Sequence, residues 1–187
     1  VGTDEVYGEC EYPKKETDIL FPRNPYAASK AIGAIMRYAY DNYLSIKDKT
    51  AEIRMCNIFG PRQDDRKIMP LLVKSLKSGV SIPLQNKGVG YREYLYVKNV
   101  PPMIERVMLK GDRTYNITNN DGLTVVELIA IIEKLTGKKI KTHESDRQIH
   151  DRFYRMDNSR LVKEIGWNPE YTFKAGLKEY LKKEGVL

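Results

Sequence analysis

Residues 25–44, PYAASKAIGAIMRYAYDNYL, and residues 51–59, AEIRMCNIF, decide the fold class of this chain. In the first stretch, apolar residues recur every three or four positions, and Pro25 suits the first turn of a helix. The second stretch is short and apolar and is closed by Gly60-Pro61, as a strand would be. A helix followed by a strand predicts an α/β fold. The recurring residues of the helix are Ala28, Ile32, Ile35, Met36, Ala39, Tyr40 and Tyr43.

The same alternation continues toward the C-terminus. Turn residues and periodicity predict five further helices. In chain order they lie at 69–76, from a cap at Asn99 to 109, from a cap at Thr124 to 135, at 157–165 and at 173–183. Short strands are predicted at 82–84, 91–97 and 115–117, and Gly88-Val89-Gly90 is predicted to be a turn. Residues 1–24 begin extended and continue as a loop punctuated by prolines.

Composition restricts the class of protein. The chain has 187 residues, of which 41% are hydrophobic and 30% charged, as in a soluble globular protein of one domain or slightly more. It has no apolar run of about 18 residues, and its start, Val1-Gly2-Thr3-Asp4, resembles neither a signal peptide nor an initiator methionine. Two cysteines, Cys10 and Cys56, are too few for a disulfide framework or a metal site. We therefore expect a cytoplasmic protein without a metal.

The net charge is +7, and it is concentrated in residues 61–187, which hold 24 Lys and Arg against 16 Asp and Glu. Such an excess favours an anionic partner, which could be a nucleic acid, a membrane surface or a phosphorylated small molecule. The sequence has no helix-turn-helix signature, zinc-ligand spacing or aromatic RNA-binding motif. We therefore expect neither nucleic acid nor membrane as the partner.

Tyr26 and Lys30 are four residues apart at the start of the predicted helix and so share one face. A nearby ammonium favours the phenolate, which would lower the pKa of Tyr26 toward a range in which it accepts a proton. Taken alone, the pair is weak, because 13 tyrosines and 32 basic residues give chance matches.

Thr3-Asp4-Glu5 places a hydroxyl and two carboxyl groups at the end of the first extended segment. Open α/β sheets hold their ligands at such strand ends. The two acids could instead be solvated loop charges. Together with Tyr26 and Lys30, however, they form an acid and base set.

Several motifs together resemble the extended short-chain dehydrogenase/reductases, and most closely the nucleotide-sugar 4,6-dehydratases of the dTDP-glucose 4,6-dehydratase type. The resemblance covers essentially the whole chain, and the Thr-Asp-Glu triplet is its most specific part. The motifs, in order, are Thr3-Asp4-Glu5-Val6-Tyr7-Gly8, Pro25-Tyr26 with Ser29-Lys30, Asn57 with Gly60-Pro61, Arg92-Glu93-Tyr94-Leu95-Tyr96-Val97, Tyr115-Asn116-Ile117, Asp146-Arg147 with His150-Asp151-Arg152 and Tyr154, and Gly166-Trp167 with Pro169.

The resemblance implies the C-terminal part of an NAD(P)-binding Rossmann-like fold with a smaller α/β domain for a sugar nucleotide. Residues 1–63 would belong to the dinucleotide-binding domain and carry the catalytic residues. Residues 64–187 would form mainly the substrate domain, with segments near 94–117 packing back on the Rossmann sheet. Related enzymes commonly dimerise through the Tyr/Lys helix, so the resemblance also implies a homodimer.

The resemblance further implies a reaction that depends on NAD and converts a nucleotide-diphosphate hexose to its 4-keto-6-deoxy form. Tyr26 would take the proton of the sugar 4-hydroxyl, and Lys30 would bind the nicotinamide ribose. Glu5 would remove the C5 proton, Asp4 would protonate the departing 6-hydroxyl, and Thr3 would bond near the 4-hydroxyl.

The resemblance also implies that the nucleotide and diphosphate are contacted by residues of the basic part of the chain. The candidates are Asn57, Lys67, Arg92, Arg147 and His150. For each of them the alternative is an ordinary surface or strand-end role, and the identity of the nucleotide base is left open.

No Gly-x-Gly-x-x-Gly or Gly-x-x-Gly-x-x-Gly occurs among the 13 glycines, although the resembling enzymes begin with such a loop. We therefore expect that most of the NAD-binding half is missing and that this chain alone is inactive. Two alternatives remain, namely a nucleotide-sugar epimerase of the same superfamily and a non-catalytic remnant that binds a sugar nucleotide or a partner chain.

Overall fold

The computed structural model describes residues 1–46, 49–145 and 151–187. The described part contains five α-helices, α1 (Pro25–Tyr43), α2 (Ile68–Ser78), α3 (Val100–Lys110), α4 (Val125–Thr136) and α5 (Phe173–Lys183). Its strands are β1 (Gly2–Thr3), β2 (Glu52–Met55), β3 (Asn57–Phe59), β4 (Ile82–Leu84), β5 (Tyr91–Tyr96), β6 (Thr114–Ile117), β7 (Gly122–Thr124) and β8 (Thr142–Glu144). Asp4–Tyr7 form a 3₁₀ turn directly after β1.

The first sheet confirms the predicted α/β class, because its strands are parallel and are connected through helices. Its order is β1-β2-β6, with Gly2 opposite Arg54 and Ile53 opposite Tyr115. Strand β1 is at the edge, so one of its sides has no strand partner among the described residues.

The stretch 51–59, predicted as one strand, is two strands in two sheets. Strand β2 stays in the first sheet, whereas β3 joins the second sheet, whose order is β3-β5-β7. The change occurs at Cys56, whose N–H still donates to the Ile117 carbonyl of the first sheet at 3.1 Å. A third, two-stranded sheet pairs β4 with β8 in parallel.

Two hydrophobic cores lie on opposite faces of β5, since side chains alternate along a strand. Leu95 belongs to the core that includes Ile53, Val107 and Ile117. Its neighbours Tyr94 and Tyr96 belong to the other core, which is built from α2, α4 and α5. Residues 95, 100–107 and 115–117 thus pack with the first sheet, whereas the division of the chain at residue 63 stays a prediction.

Helix α1 forms where the sequence predicts it, but its buried face is a different one. The side chains buried against the body of the protein are Ala27, Ala31, Ala34 and Asp41. The larger apolar residues at the predicted spacing, Ile32, Ile35, Met36, Tyr40 and Tyr43, are 49–85% exposed. We call these five residues the α1 apolar stripe.

Two further predictions are correct in position but differ in detail. Asn99 occupies the N-cap position of α3, but its side chain makes no cap bond, because its amide bonds the backbone N–H and carbonyl of Tyr171 instead. The helix predicted at 157–165 is present at 159–165 and ends in a π-helical turn at Leu161–Ile165. The helix does not include residue 158, because the Asn158 side chain bonds another segment, with Nδ2 donating to the Thr118 carbonyl at 2.7 Å.

Across the described ranges, none of the helices is long and apolar enough to cross a membrane. Within the same ranges, no group of three or more His, Cys, Asp or Glu side chains could hold a metal ion.

Helix α5 packs so closely on β5 that its glycine has no room for a side chain. A methyl group on Gly176 would lie 2.5 Å from the Tyr96 ring. Gly176→Ala is therefore expected to lower the free energy of unfolding by about 1–3 kcal/mol, measured by urea denaturation.

Gly33→Ala in α1 is the matched control, because its added methyl group meets nothing within 4 Å. Alanine favours a helix over glycine, so this variant is expected to gain about 0.5–1 kcal/mol. Equal stability of the two variants would contradict the described packing of α5 on Tyr96.

Candidate active site

A cavity of about 340 Å³ opens at the carboxyl ends of β1 and β2. Parallel strands present their carboxyl ends at one edge of a sheet, where ligands of α/β proteins bind. Three stretches line it, namely the first five residues, the start of α1, and 55–67. It brings together seven of the predicted site residues, Thr3, Asp4, Glu5, Tyr26, Lys30, Asn57 and Lys67.

Asp4 is the most deeply buried acid of this cavity, with 4% of its surface exposed. Its Oδ1 accepts a hydrogen bond from the Thr3 hydroxyl at 3.0 Å. Its Oδ2 is buried with no hydrogen-bond partner among the described residues. Burial disfavours the charged form, and the pKa of Asp4 rises from 3.8 to about 7, although the Thr3 bond and the Arg92 charge oppose the rise. This is the direction that a proton donor at neutral pH requires.

The raised pKa of Asp4 predicts a pH dependence of stability. The folded chain keeps this proton up to about pH 7, whereas an unfolded chain releases it near pH 3.8. The stability that the folded chain gains by keeping this proton is therefore fully present below pH 3.8 and is lost as the pH rises to about 7. Urea unfolding of the wild type and of Asp4→Asn from pH 4 to 7.5 should show the wild type losing about 1.4 kcal/mol per pH unit relative to the variant. Parallel curves would mean that Asp4 is charged in the folded chain.

Glu5 is half-buried and is held by the residue that starts α1. Its Oε2 accepts a hydrogen bond from Asn24 Nδ2 at 2.8 Å. Asn24 Oδ1 in turn accepts the Ala27 N–H at 2.8 Å, which is the usual N-cap bond of a helix. One asparagine therefore fixes both the helix start and the carboxylate. Asn24 is not among the predicted site residues, although an asparagine directly before a proline at N1 is a cap signal.

Tyr26 and Lys30 lie together on the first turns of α1, as predicted. The Lys30 ammonium is 5.9 Å from the centre of the Tyr26 ring. The pKa of Tyr26 is nevertheless raised, first by burial and then by the charges of Glu5 and Asp4, with a smaller opposing effect of Thr3. The prediction that Lys30 lowers this pKa is wrong for this chain. The phenol therefore keeps its proton at neutral pH.

Asn57 and Lys67 are both exposed and line the cavity. Asn57 begins β3, and Lys67 immediately precedes the first turn of α2. A helix start carries free N–H groups and a positive dipole end, so Lys67 and α2 together favour an anion.

Arg92 does not line this cavity together with the other described site residues. Among the described residues that line the cavity, Arg92 is absent, and its guanidinium bonds backbone carbonyls instead. Arg147 and His150 lie outside the described residues, so their roles stay predictions.

Gln63 also lines the cavity, although no motif in the sequence points to it. Its Nε2 donates to the Ile58 carbonyl at 2.8 Å, which closes the loop between β3 and α2. This loop connects Asn57 to Lys67, so the Gln63 bond stabilises the segment that carries both residues.

Known proteins are similar to this chain in sequence. Residues 1–180 match the model of the GDP-mannose 4,6 dehydratase family. The low-salt glycan biosynthesis protein Agl12 of Haloferax volcanii is 35% identical over 95% of this chain and 58% of its own length. A dTDP-glucose 4,6-dehydratase of Streptomyces griseus is also 35% identical, over 95% of this chain and 55% of its own length.

Known structures share the fold as well. A dTDP-glucose 4,6-dehydratase of Bacillus anthracis, solved in complex with NAD, superposes with a TM-score of 0.89 and 32% identity. The match covers 97% of this chain and 59% of that one. The chain therefore spans somewhat more than half the length of these relatives.

Proposed function

Since the chain belongs to the GDP-mannose 4,6 dehydratase family, we propose that it carries the catalytic and substrate-binding part of an NAD-dependent nucleotide-sugar 4,6-dehydratase. The substrate would be a nucleotide-diphosphate hexose resembling dTDP-glucose, and the product its 4-keto-6-deoxy form. One observation carries this proposal. A buried carboxyl group with a raised pKa, a neighbouring carboxylate and a tyrosine/lysine pair line one cavity.

The chemistry needs two proton acceptors and one donor in one place. Tyr26 would receive the proton of the sugar 4-hydroxyl as C4 becomes a ketone. The ketone acidifies the C5 proton, which Glu5 would remove. Asp4 would give its proton to the 6-hydroxyl, which leaves as water. The different surroundings of the two acids, one deeply buried and one held by an amide, suit these opposite roles.

The nicotinamide end of NAD fits the residues present. Lys30 and Tyr26 line the cavity beside Gly2, the residue of β1 without a side chain, so a ribose could approach the ammonium. When bound, NAD⁺ would supply the redox chemistry, as acceptor of the hydride from C4 and its donor to C6, while Glu5 would return a proton to C5. The sequence offers no glycine-rich turn for the pyrophosphate, so most of the cofactor site would have to come from outside this chain.

We propose that the chain alone is inactive. It covers somewhat more than half of its relatives, and Tyr26 has a raised pKa where a base needs a lowered one. Asn57 and Lys67 would hold the diphosphate, and Arg147 and His150 stay candidates for the nucleotide. Nucleic acid and membrane are not part of the proposed function, and a cytoplasmic location stays a prediction.

The α1 apolar stripe supports a homodimer. Five large apolar side chains stand exposed along one helix, and such patches mark interaction surfaces. Analytical ultracentrifugation of the chain and of an Ile35→Lys variant tests this. We expect a dimer for the former and a monomer for the latter.

Binding and product analysis test the proposed function. Calorimetric titration of the chain with dTDP-glucose should give saturable binding that Lys67→Ala weakens. A completed enzyme, in which the uncovered part of the Streptomyces griseus relative is joined to this chain, should form a 4-keto-6-deoxy sugar visible by NMR. An epimer at C4 would favour the epimerase alternative. Binding without turnover in the completed enzyme would favour the non-catalytic remnant.

A further inference from the structure

A row of three residues crosses the first sheet, one on each strand. Gly2 of β1 pairs with Arg54 of β2, and Arg54 pairs with Asn116 of β6. Arg54 and Asn116 are both buried. Gly2 leaves room for the arginine, because a methyl group there would lie 3.2 Å from Arg54 Cγ and 3.0 Å from Glu52 Oε1.

The Tyr7 hydroxyl bonds two members of this row. Arg54 Nη1 donates to the Tyr7 oxygen at 2.8 Å, and the Tyr7 hydroxyl donates to Asn116 Oδ1 at 2.8 Å. The rest of the guanidinium holds Glu52, with Nε and Nη2 donating to its two carboxylate oxygens at 2.9 and 3.1 Å. One planar group therefore engages both Glu52 and Tyr7, as its fork of donors allows.

Tyr7 ends the turn that carries the two acids. Asp4 and Glu5 are the first two residues of the 3₁₀ turn Asp4–Tyr7, and the Gly8 N–H closes the turn on the Glu5 carbonyl at 3.0 Å. A 3₁₀ segment this short has poor hydrogen-bond geometry and little stability of its own. Its position therefore depends on the side chains that fasten it to the sheet.

The pair of Glu52 and Arg54 is a weak source of stability, because both residues are buried. Removing two charges from water costs about as much as their attraction returns, and apolar side chains of the same volume often replace such a pair without loss of stability. Apolar side chains have no directed bonds, however. Only the guanidinium fixes the Tyr7 oxygen at one point on the sheet.

We propose that Tyr7 and Arg54 are positioning residues, which fix the turn that carries Asp4 and Glu5 and so keep Asp4 buried beside the cavity. The inference rests on the proposed acid and base roles of these two carboxyl groups. It assigns a part in that site to two residues that do not line the cavity themselves.

The pKa of Asp4, measured in the full chain by NMR of its carboxyl carbon, tests the positioning. In Tyr7→Phe and in Arg54→Lys, we expect this pKa to fall from about 7 by about one unit or more, because a displaced turn lets water reach the carboxyl group. Neither variant removes a charge, since phenol and phenylalanine are neutral and lysine keeps the charge of Arg54. The charged groups that act most on Asp4 also stay in place, namely Glu5, Arg92 and Glu93.

Tyr115→Phe is the matched control. Tyr115 is buried in the same core as Tyr7, but its hydroxyl bonds Asp112 and Glu164, at 3.4 and 3.3 Å, and not the Arg54 row. This variant should leave the pKa of Asp4 at its wild-type value. An unchanged pKa in Tyr7→Phe or in Arg54→Lys overturns the proposal, and so does an equal fall in Tyr115→Phe. If Arg54→Lys fails to fold, Tyr7→Phe alone decides, because it keeps the ring and the buried ion pair.

Hydrogen–deuterium exchange gives a second measure of the turn in the full chain. In Tyr7→Phe, the Gly8 amide should exchange about tenfold faster or more, because the turn that it closes is released. The Gly79 amide, which closes α2 on the Ser75 carbonyl at 2.8 Å, should exchange as in the wild type. Wild-type exchange at Gly8 would contradict the proposal.

Turnover separates positioning from a purely structural role. In the completed enzyme, Tyr7→Phe should lower kcat about tenfold with KM little changed, because misplaced acids act on the chemical step and not on binding. A wild-type kcat beside a shifted Asp4 pKa would overturn the proposal. If the completed enzyme without substitutions forms no product, the proposed function fails. The pKa and exchange measurements on the chain itself then still decide whether Tyr7 and Arg54 position the turn.

Discussion

Tyr26→Phe is expected to reduce turnover of the completed enzyme about a thousandfold, because a positioned proton acceptor contributes factors of this size. The phenylalanine ring keeps the volume of the tyrosine and removes only the hydroxyl group. Tyr26 is 51% exposed, so the fold does not depend on that hydroxyl. Affinity for the sugar nucleotide, measured by calorimetry, should therefore stay close to that of the wild type. Single-turnover kinetics should locate the loss in the oxidation at C4.

Tyr43→Phe is the matched control on the same helix. Tyr43 is 85% exposed at the opposite end of α1, far from the cavity residues of that helix, Tyr26 and Lys30. Its variant should turn over normally. If Tyr26→Phe retained most of its turnover, Tyr26 could not be the acceptor, and another group in the cavity would have to take the 4-hydroxyl proton.

Asp4→Asn and Glu5→Gln are expected to stop the dehydration at different points. Each should lower product formation by about a hundredfold to ten-thousandfold, the range of a general acid or base. In Asp4→Asn, the C5 hydrogen should still exchange with deuterated water, because Glu5 is present. In Glu5→Gln, both that exchange and the elimination should be lost. NMR of the recovered sugar nucleotide reads both quantities in one experiment.

The control for these variants is Glu11→Gln, which removes one exposed carboxylate from the loop that follows the acids. Its effect on product formation should be small. Loss of C5 exchange in Asp4→Asn but not in Glu5→Gln would reverse the two assigned roles. Such a reversal would also contradict the electrostatics, since burial raises the pKa of Asp4 and so favours its protonated form.

The sequence predicts local structure well where the pattern is local. Helix α1 begins at Pro25, after its Asn24 cap, and α4 begins after Thr124, whose capping box with Glu127 is complete in the structure. Strands of only three residues carry no such pattern, so β7 and β8 were not predicted. The periodicity of α1 was correct, but it could not tell which face is buried. The alanines at 27, 31 and 34 lie against the protein, and the larger residues point outward.

The candidate site, like the local structure, could be predicted from the sequence only where its residues are close along the chain. Five of its residues lie within two short stretches, Thr3 to Glu5 and Tyr26 to Lys30, and the fold brings these stretches to one cavity. The contacts of Arg92 depend on a segment about 60 residues further along the chain. No spacing rule relates residues so far apart, so these contacts could not be predicted from the sequence.

The unpaired edge of β1 has a practical consequence. Within the part of the chain that the structure describes, Gly2 and Thr3 pair with β2 on one side only. Two cavities of about 330 and 390 Å³ adjoin Val1, one lined by residues of α3 and the other by residues of α1. A second polypeptide could add a strand there and fill both cavities. Because the proposed activity would then depend on that association, the chain could serve as one half of a split-enzyme reporter. In a library of partner chains, formation of the deoxysugar would identify the chains whose strand binds this edge.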